Sequence, residues 1–266
     1  MKYNILGCGW LGYPLALFLK QKGYEVGGSS RTNEKKKLFE GNGVSHHVIQ
    51  IENNKISGNL IEFLNAEILC IAIPFSQQKS NLKAFAYLAH EIEKSTVKKV
   101  VFISSTSVYK DNNTLTSETG LFEENPQKKE LITLEKLFLK HAGFQTNILR
   151  FSGLIGGTRH PGNFFKEGRI VPNGLAPVNL IHLDDCLEIV LKISEGAVEG
   201  EIYNAATDTH PTKQEFYTAA ALKLGNKPAT FIEEKTSFKT IDNSKLKKDL
   251  NYQFKHPNLM ACLENF

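Results

Sequence analysis

Tyr3-Asn4-Ile5-Leu6-Gly7-Cys8-Gly9-Trp10-Leu11-Gly12 is the stretch on which the fold turns. Its first four residues read as a short strand. Leu15-Ala16-Leu17-Phe18-Leu19, just beyond it, reads as the apolar body of a helix. A G-x-G-x-x-G turn between a strand and a helix is the arrangement that cradles a pyrophosphate. Gly7 permits the tight turn, Gly9 lets backbone approach the phosphates, and Gly12 lets the helix pack close to the strand. Ala16, four residues after Gly12, keeps the same helix face small. The helix start offers free N–H groups and a positive dipole end. Pro14 falls in the first turn, where a missing N–H costs little. Lys2 ahead of apolar residues also suggests a secretory leader. The glycines and Pro14 interrupt the apolar run and no small-residue cleavage site is present, so we read the stretch as folded protein.

Working outward, Gly23 is a helix stop. Tyr24 to Ser29 reads as a second strand, which completes the βαβ unit the glycine turn requires. A charged helix from about Asn33 to Phe39 follows, then a third strand, His46 to Ile51. Adjacent histidines on a strand face opposite ways, so His46 and His47 are a poor metal pair. Ile56 to Leu64 reads as a short helix. Ile68 to Ile73 is a continuous apolar strand, as a sheet covered on both faces demands, and Pro74 ends it. Asn81 to Lys94 reads as an amphipathic helix, and Lys99 to Ile103 as a strand running into Ser104-Ser105-Thr106-Ser107-Val108-Tyr109. After a polar loop, Pro126 opens a helix to about His141, stopped by Gly143, and Thr146 to Phe151 is the next strand. Beyond Gly153 comes a glycine- and proline-rich excursion. Asn179 to Asp185 leads into a helix to about Ser194, and Glu201 to Asn204 is a late strand. Thr212-Lys213-Gln214-Glu215 is a capping box opening a helix that Gly225 closes. Strands alternating with helices predict an α/β fold: a doubly wound parallel sheet.

The bulk numbers set bounds. The 266 residues suffice for one large α/β domain with a smaller lobe. The expected division is a Rossmann domain over 1–155, to which the chain returns at about 178–206, with 156–177 and 207–266 as a small substrate-binding lobe. A hydrophobic content of 41% with 23% charged residues fits an ordinary globular chain. No apolar run approaches the ~20 residues of a membrane helix. The net charge of +4 is dispersed, with Lys35-Lys36-Lys37 the longest cluster, so no nucleic-acid footprint is expected. Cys8, Cys70, Cys186 and Cys262 show no metal spacing, and we read them as reduced thiols in a cytoplasmic protein. No metal site is expected.

Together these pieces resemble the extended short-chain dehydrogenase/reductase superfamily, the group of sugar-nucleotide epimerases and dehydratases. Five segments in order carry the resemblance: the glycine turn, Ser104 to Tyr109, Leu149 to Gly156, Ile181-His182-Leu183-Asp184-Asp185, and Tyr203-Asn204-Ala205-Ala206. It implies an NAD(P)-binding Rossmann sheet, a capped cleft and a small-molecule substrate. It also implies a Tyr-x-x-x-Lys pair on the helix after the serine strand. Here Gln127 and Leu131 stand at those positions, and no tyrosine in the chain has lysine four residues on. Gly153 stands where many sugar-nucleotide enzymes carry an asparagine. The chain therefore resembles an atypical member.

The expected cofactor-binding set is Gly7, Gly9, Trp10, Leu11, Gly12, Ser30, Arg31, Thr32, Lys35, Ile73, Pro74 and Ser104. Ser105 holds the position of the family's catalytic serine, and Tyr109 is the candidate replacement acid. Arg159 and Asn163 on the excursion are the candidate substrate contacts, with Arg159 suited to an anion. Asp184 and Asp185 are expected to cap a helix, and His182 to pack beneath it. No acid follows the second strand until Glu34, whereas Ser30, Arg31, Thr32 and Lys35 supply hydroxyls and positive charge. That pattern predicts NADP(H) over NAD(H). The function expected is an NAD(P)-dependent oxidoreductase or epimerase-like enzyme, monomeric or homodimeric. The alternative is a non-catalytic NADP(H)-binding redox sensor.

Overall fold

The computed structural model describes residues 1–74 and 81–266. Seven strands form the central sheet: β1 (Lys2–Leu6), β2 (Glu25–Ser30), β3 (Ser45–Val48), β6 (Ile68–Ile71), β7 (Lys99–Ser105), β9 (Gln145–Phe151) and β13 (Ile202–Ala205). Their order is β13-β9-β7-β6-β1-β2-β3. The pairings of β1 with β2 and β6, of β2 with β3 and of β6 with β7 are all parallel. The chain starts in the middle, winds to one edge through β3, then returns past β1 through β6. The order therefore reverses between β1 and β6, the switch point at which doubly wound sheets bind ligands.

Apolar sequence explains the central strands. Ile5, Leu6, Leu69, Cys70, Ile71, Val100, Val101 and Phe102 are all buried, as covering both faces requires. The flanking helices are α1 (Gly12–Gln21), α2 (Lys36–Gly41), α3 (Leu60–Phe63), α4 (Leu82–Glu93), α5 (Pro126–Leu139) and α6 (Leu183–Glu195). Gly23, at φ +89°, follows α1 in the left-handed conformation that ends it. Gly143 does not stop α5, which ends at Leu139. A Cβ at Gly143 would lie 2.5 Å from Glu93 Cγ, so that glycine serves close packing.

The expected third strand divides. After β3, Gln50–Glu52 (β4) turns back on Lys55–Ser57 (β5) as an antiparallel hairpin. Asn53 and Asn54, both at positive φ, make the turn. The helix expected from Ile56 is accordingly only α3, capped by the Asn59 side chain accepting from Glu62 N–H.

The chain forms two compact units. One comprises Met1–Ser104, Glu124–Leu149 and Ile189–Ile202; the other Ser105–Glu123, Arg150–Glu188 and Tyr203–Phe266. The second contains short parallel pairs, including Gly153–Ile155 (β10) with Leu180–His182 (β12) and Leu115–Thr116 (β8) with Thr240–Ile241 (β15). Its core gathers Ile155, Val178, Leu180, Phe216, Ala220, Leu259, Cys262 and Leu263. The Thr212–Glu215 capping box forms as read and opens α7 (Lys213–Lys223). No described helix is long and apolar enough to cross a membrane.

Candidate functional site

Gly7 leaves β1 at φ +98°. A Cβ there would lie 3.1 Å from the Ala72 carbonyl oxygen, beyond the end of β6, so the turn sits at the switch point. Gly12 has the least room. A Cβ on it would lie 2.3 Å from the Gly7 carbonyl oxygen. A Cβ on Gly9, by contrast, would meet nothing among the described residues within 4 Å. The three glycines thus divide their work as the motif implies: Gly7 turns, Gly12 admits the helix, and Gly9 leaves an open face at the start of α1. That open face, which any larger side chain would fill, fits a pyrophosphate.

The turn is tied to β2. Ser29 Oγ accepts from Gly7 N–H at 2.9 Å, and the Ser29 carbonyl accepts from Cys8 N–H at 2.9 Å. Ser29 is buried and engaged in the turn, and Ser30, the last residue of β2, donates its hydroxyl to the Thr32 carbonyl at 2.7 Å. The Cys8 thiol is buried and pushed up to about 12, which leaves it inert. Trp10 is half-buried, and Leu11 is buried as the residue preceding α1. Ile73 and Pro74 follow β6, and the Ile73 side chain lies close to Gly7. Past β2, Arg31, Thr32 and Lys35 are all exposed. Gln50 Nε2 donates to the Arg31 carbonyl at 2.6 Å, fixing the backbone there. The Arg31 guanidinium has no ion-pair partner among the described residues, and the first acid, Glu34, lies beyond it in a short 3₁₀ turn, Asn33–Lys35.

Ser104 donates its hydroxyl to Glu135, and both are buried. Glu135 lies one turn after Leu131 on α5. Leu131 is fully buried and Gln127 is exposed, so the face of α5 that carries the acid pair in the resembled family is here filled by a leucine and a carboxylate. Ser105 is half-buried. Its oxygen accepts from Ser107 N–H at 3.1 Å and its hydroxyl donates to Ser107 Oγ at 2.9 Å.

Tyr109 does not fit the role of replacement acid. It is fully buried and donates to Asn204 Oδ1 at 2.8 Å. Its oxygen also accepts from Arg150, whose guanidinium lies 5.0 Å from the Tyr109 ring and 5.1 Å from that of Phe122. A phenol bonded on both sides in the core has no route to a substrate proton. Arg159 and Asn163 are both exposed. The Arg159 backbone closes a turn with Gly156, and Asn163 lines an open hollow of about 510 Å³ with Gly162, Phe165, Lys166, Glu167, Asn226 and Lys227.

Asp184 and Asp185 do not cap α6 as expected. The cap is His182, whose Nδ1 accepts from Asp184 N–H at 3.2 Å. Buried Asp185 instead anchors the 252–256 segment, accepting from Tyr252 OH at 2.7 Å, Lys255 N–H at 2.7 Å and His256 N–H at 3.2 Å. Asp184 pairs with His256 Nε2 at 2.9 Å. His182, Asp184 and His256 bring ligand-type atoms within 4.8 Å of one another. The capping bond occupies the His182 lone pair, and the positive end of α6 opposes a cation there.

A mostly parallel sheet of this order, with a glycine turn at its switch point, defines a Rossmann fold of the dinucleotide-binding class. The sequence model described as the NAD dependent epimerase/dehydratase family matches residues 5–206. Protein YeeZ of Escherichia coli K12 is 31% identical over 268 residues, covering 97% of both chains. The chain belongs to the NAD dependent epimerase/dehydratase family. Among solved structures it is similar to the UDP-glucuronic acid 4-epimerase of Bacillus cereus in complex with NAD, at TM-score 0.82 and 20% identity, covering 99% of this chain and 96% of that one. It is also similar to a short-chain dehydrogenase/reductase superfamily protein of Agrobacterium tumefaciens with bound NAD, at TM-score 0.81 and 15% identity, covering 100% and 95%.

Neither Ser29 as the clamp of the glycine turn nor Gln50 on Arg31 was read from the sequence. Both depend on strand register, which places residues 20 or so apart side by side.

Proposed function

We propose that the protein is an NADP(H)-dependent oxidoreductase or epimerase-like enzyme acting on a small anionic substrate without a Tyr–Lys pair. One observation carries the reading: the open backbone face at Gly9, joined through Ser29 to a β2 end that supplies Ser30 and Arg31 and no carboxylate. The cofactor, when bound, supplies hydride exchange. Gly7, Gly9, Trp10, Leu11 and Gly12 hold its pyrophosphate. Ser30, Arg31, Thr32 and Lys35 meet its 2′ side, with the Arg31 fork suited to a phosphate. A carboxylate at this place would repel that phosphate. Ser104, Ile73 and Pro74 lie at neighbouring strand ends of the same sheet half. Ser105 orients the substrate oxygen, and the proton comes from the substrate or water rather than from Tyr109. Arg159 and Asn163 receive the anionic part. The UDP-sugars bound by similar structures suggest nucleotide-linked sugars as the first class to assay.

A second reading, a cofactor-binding sensor, is favoured by Gln127 and buried Leu131 standing where the resembled family has its tyrosine and lysine, and by a Tyr109 that is hydrogen-bonded in the core. Calorimetric titration with NADPH and NADH, followed by a panel of carbonyl and nucleotide-sugar substrates, separates the readings. Equal dissociation constants would refute the NADP(H) assignment. Tight NADPH binding with no turnover across the panel would favour the sensor.

A further inference from the structure

The Ser30 hydroxyl, at the end of β2, stands between two partners. Its oxygen is 2.7 Å from the Thr32 carbonyl oxygen and 2.7 Å from His46 Nε2. The carbonyl can only accept, so the single hydroxyl proton is directed to it. Nε2 must then carry its own proton and donate to Ser30. His46 is therefore fixed as a donor at Nε2, whether the ring is neutral or charged.

The ring is well placed for this. His46 lies on β3 opposite Gly28 and stands edge-on to Phe39 of α2, with centroids 5.0 Å apart. Its neighbour His47 faces the other way, against Phe63 of α3. The charged groups acting on the His46 ring are Glu40 and Lys36 of α2, of opposite sign, with His47 beside it on the strand. Arg31 and Lys35 follow Ser30 in the chain. Burial holds the His46 imidazole below its usual value, with Glu40 opposing that shift and Lys36 adding to it, so the ring is largely neutral at pH 7 in the free protein. An anion brought to Ser30 changes that balance, since an opposite charge nearby favours imidazolium.

We propose that His46 is a positioning residue for the 2′ substituent of the cofactor: Nε2–H holds the Ser30 oxygen while the hydroxyl proton turns from the Thr32 carbonyl to an arriving 2′-phosphate, and the ring takes up a proton as that charge arrives. This rests on the NADP(H) reading above. By linkage, NADPH binds more tightly as pH falls from 8 towards 6.5, while NADH binding stays flat. Below ~6 the phosphate itself begins to protonate, which reverses the trend.

The test uses 2′,5′-ADP and 5′-AMP as probes, which differ only in the 2′-phosphate. In the full chain, the His46 ring is titrated by NMR with each probe bound. The proposal expects its pKa to rise by about one unit with 2′,5′-ADP and to stay put with 5′-AMP, equivalent to a roughly tenfold gain in affinity. His46→Gln keeps a donor without a titrating charge, so it should retain a pH-independent preference for 2′,5′-ADP. His46→Phe should lose most of the preference at every pH. An unmoved His46 pKa in a protein that does prefer 2′,5′-ADP overturns the role of His46 and leaves the cofactor reading standing. Equal binding of the two probes at all pH values overturns both. The NMR titration of the unmutated protein decides the matter even if His46→Phe fails to fold.

Discussion

Gly9 and Gly12 are three residues apart in one turn, and the structure assigns them opposite sensitivities. A methyl group at Gly12 would sit 2.3 Å from the Gly7 carbonyl oxygen, a backbone atom that cannot swing aside. Gly12→Ala therefore has to open the β1–α1 packing. Overpacking of this kind costs about 1–3 kcal/mol, and at ~2–4 °C per kcal/mol the unfolding midpoint should drop by roughly 3–10 °C. At Gly9 the same methyl meets nothing among the described residues within 4 Å, and the backbone there does not lie at positive φ. Gly9→Ala should be neutral or stabilising by ~0.4–1 kcal/mol, because it restricts the unfolded chain. Gly9→Val should also fold, but its branched side chain occupies the face offered to the pyrophosphate. Losing two charge-assisted hydrogen bonds, at ~1.5–3 kcal/mol each, weakens NADPH by roughly 100-fold or more. Thermal unfolding and calorimetric titration of the three variants read both effects. Gly9→Val binding NADPH as the unmutated protein does would refute the assignment of this turn. So would Gly9→Ala destabilising as much as Gly12→Ala.

Arg31→Ala should erase most of an approximately tenfold preference for NADPH over NADH, measured as the ratio of dissociation constants; an unchanged ratio would remove Arg31 from the 2′ site. Tyr109→Phe should cost ~1–3 kcal/mol in denaturant unfolding, because Asn204 and Arg150 each lose a buried partner. It should leave cofactor binding untouched, so a drop in turnover with unchanged stability would return Tyr109 to the chemistry. Burial holds His47, His182 and His210 below their usual 6.5 in the folded chain. The unfolded chain then binds more protons below pH 6.5, so stability present above that pH is lost as pH falls. The urea midpoint should decline between pH 7 and pH 5, and a flat profile would contradict the burial. Ser105→Ala should lower turnover on any substrate found, and full retention of rate would exclude a role in orienting the substrate.

The parts of the fold that were legible are those set by local pattern. The glycine turn, the buried strands and the Thr212–Glu215 box each depend on residues a few positions apart. The hairpin at 50–57 left a local signal that was passed over: Asn53-Asn54 are residues suited to a turn with positive φ at both centres. Other features had no local signature. β8 is two residues long and pairs with β15 more than a hundred residues later, so neither could be read as a strand. Asp185 reads as a cap from its place before a helix, and only the fold shows that its carboxylate gathers Tyr252, Lys255 and His256. Tyr109 follows the same rule. Its place near a serine-rich strand end matches a reactive phenol, while Asn204 and Arg150, which hold it, come from distant segments.

The face of α5 shows how the scaffold persists without the acid pair. Lysine at position 131 would place an ammonium where Leu131 is fully buried, and an unpaired buried charge is costly. Leucine removes that cost and packs. One turn further on, Glu135 is just as buried, and there the helix receives the Ser104 hydroxyl instead of donating towards a ligand. The inner side of α5 thus buries Leu131 by packing and Glu135 by hydrogen bonding. The glycine turn and the end of β2, by contrast, leave backbone, hydroxyl and guanidinium groups facing outward. An open glycine turn and a closed side of α5 lie in the same unit, and that contrast is what the NADPH titration and the turnover panel separate.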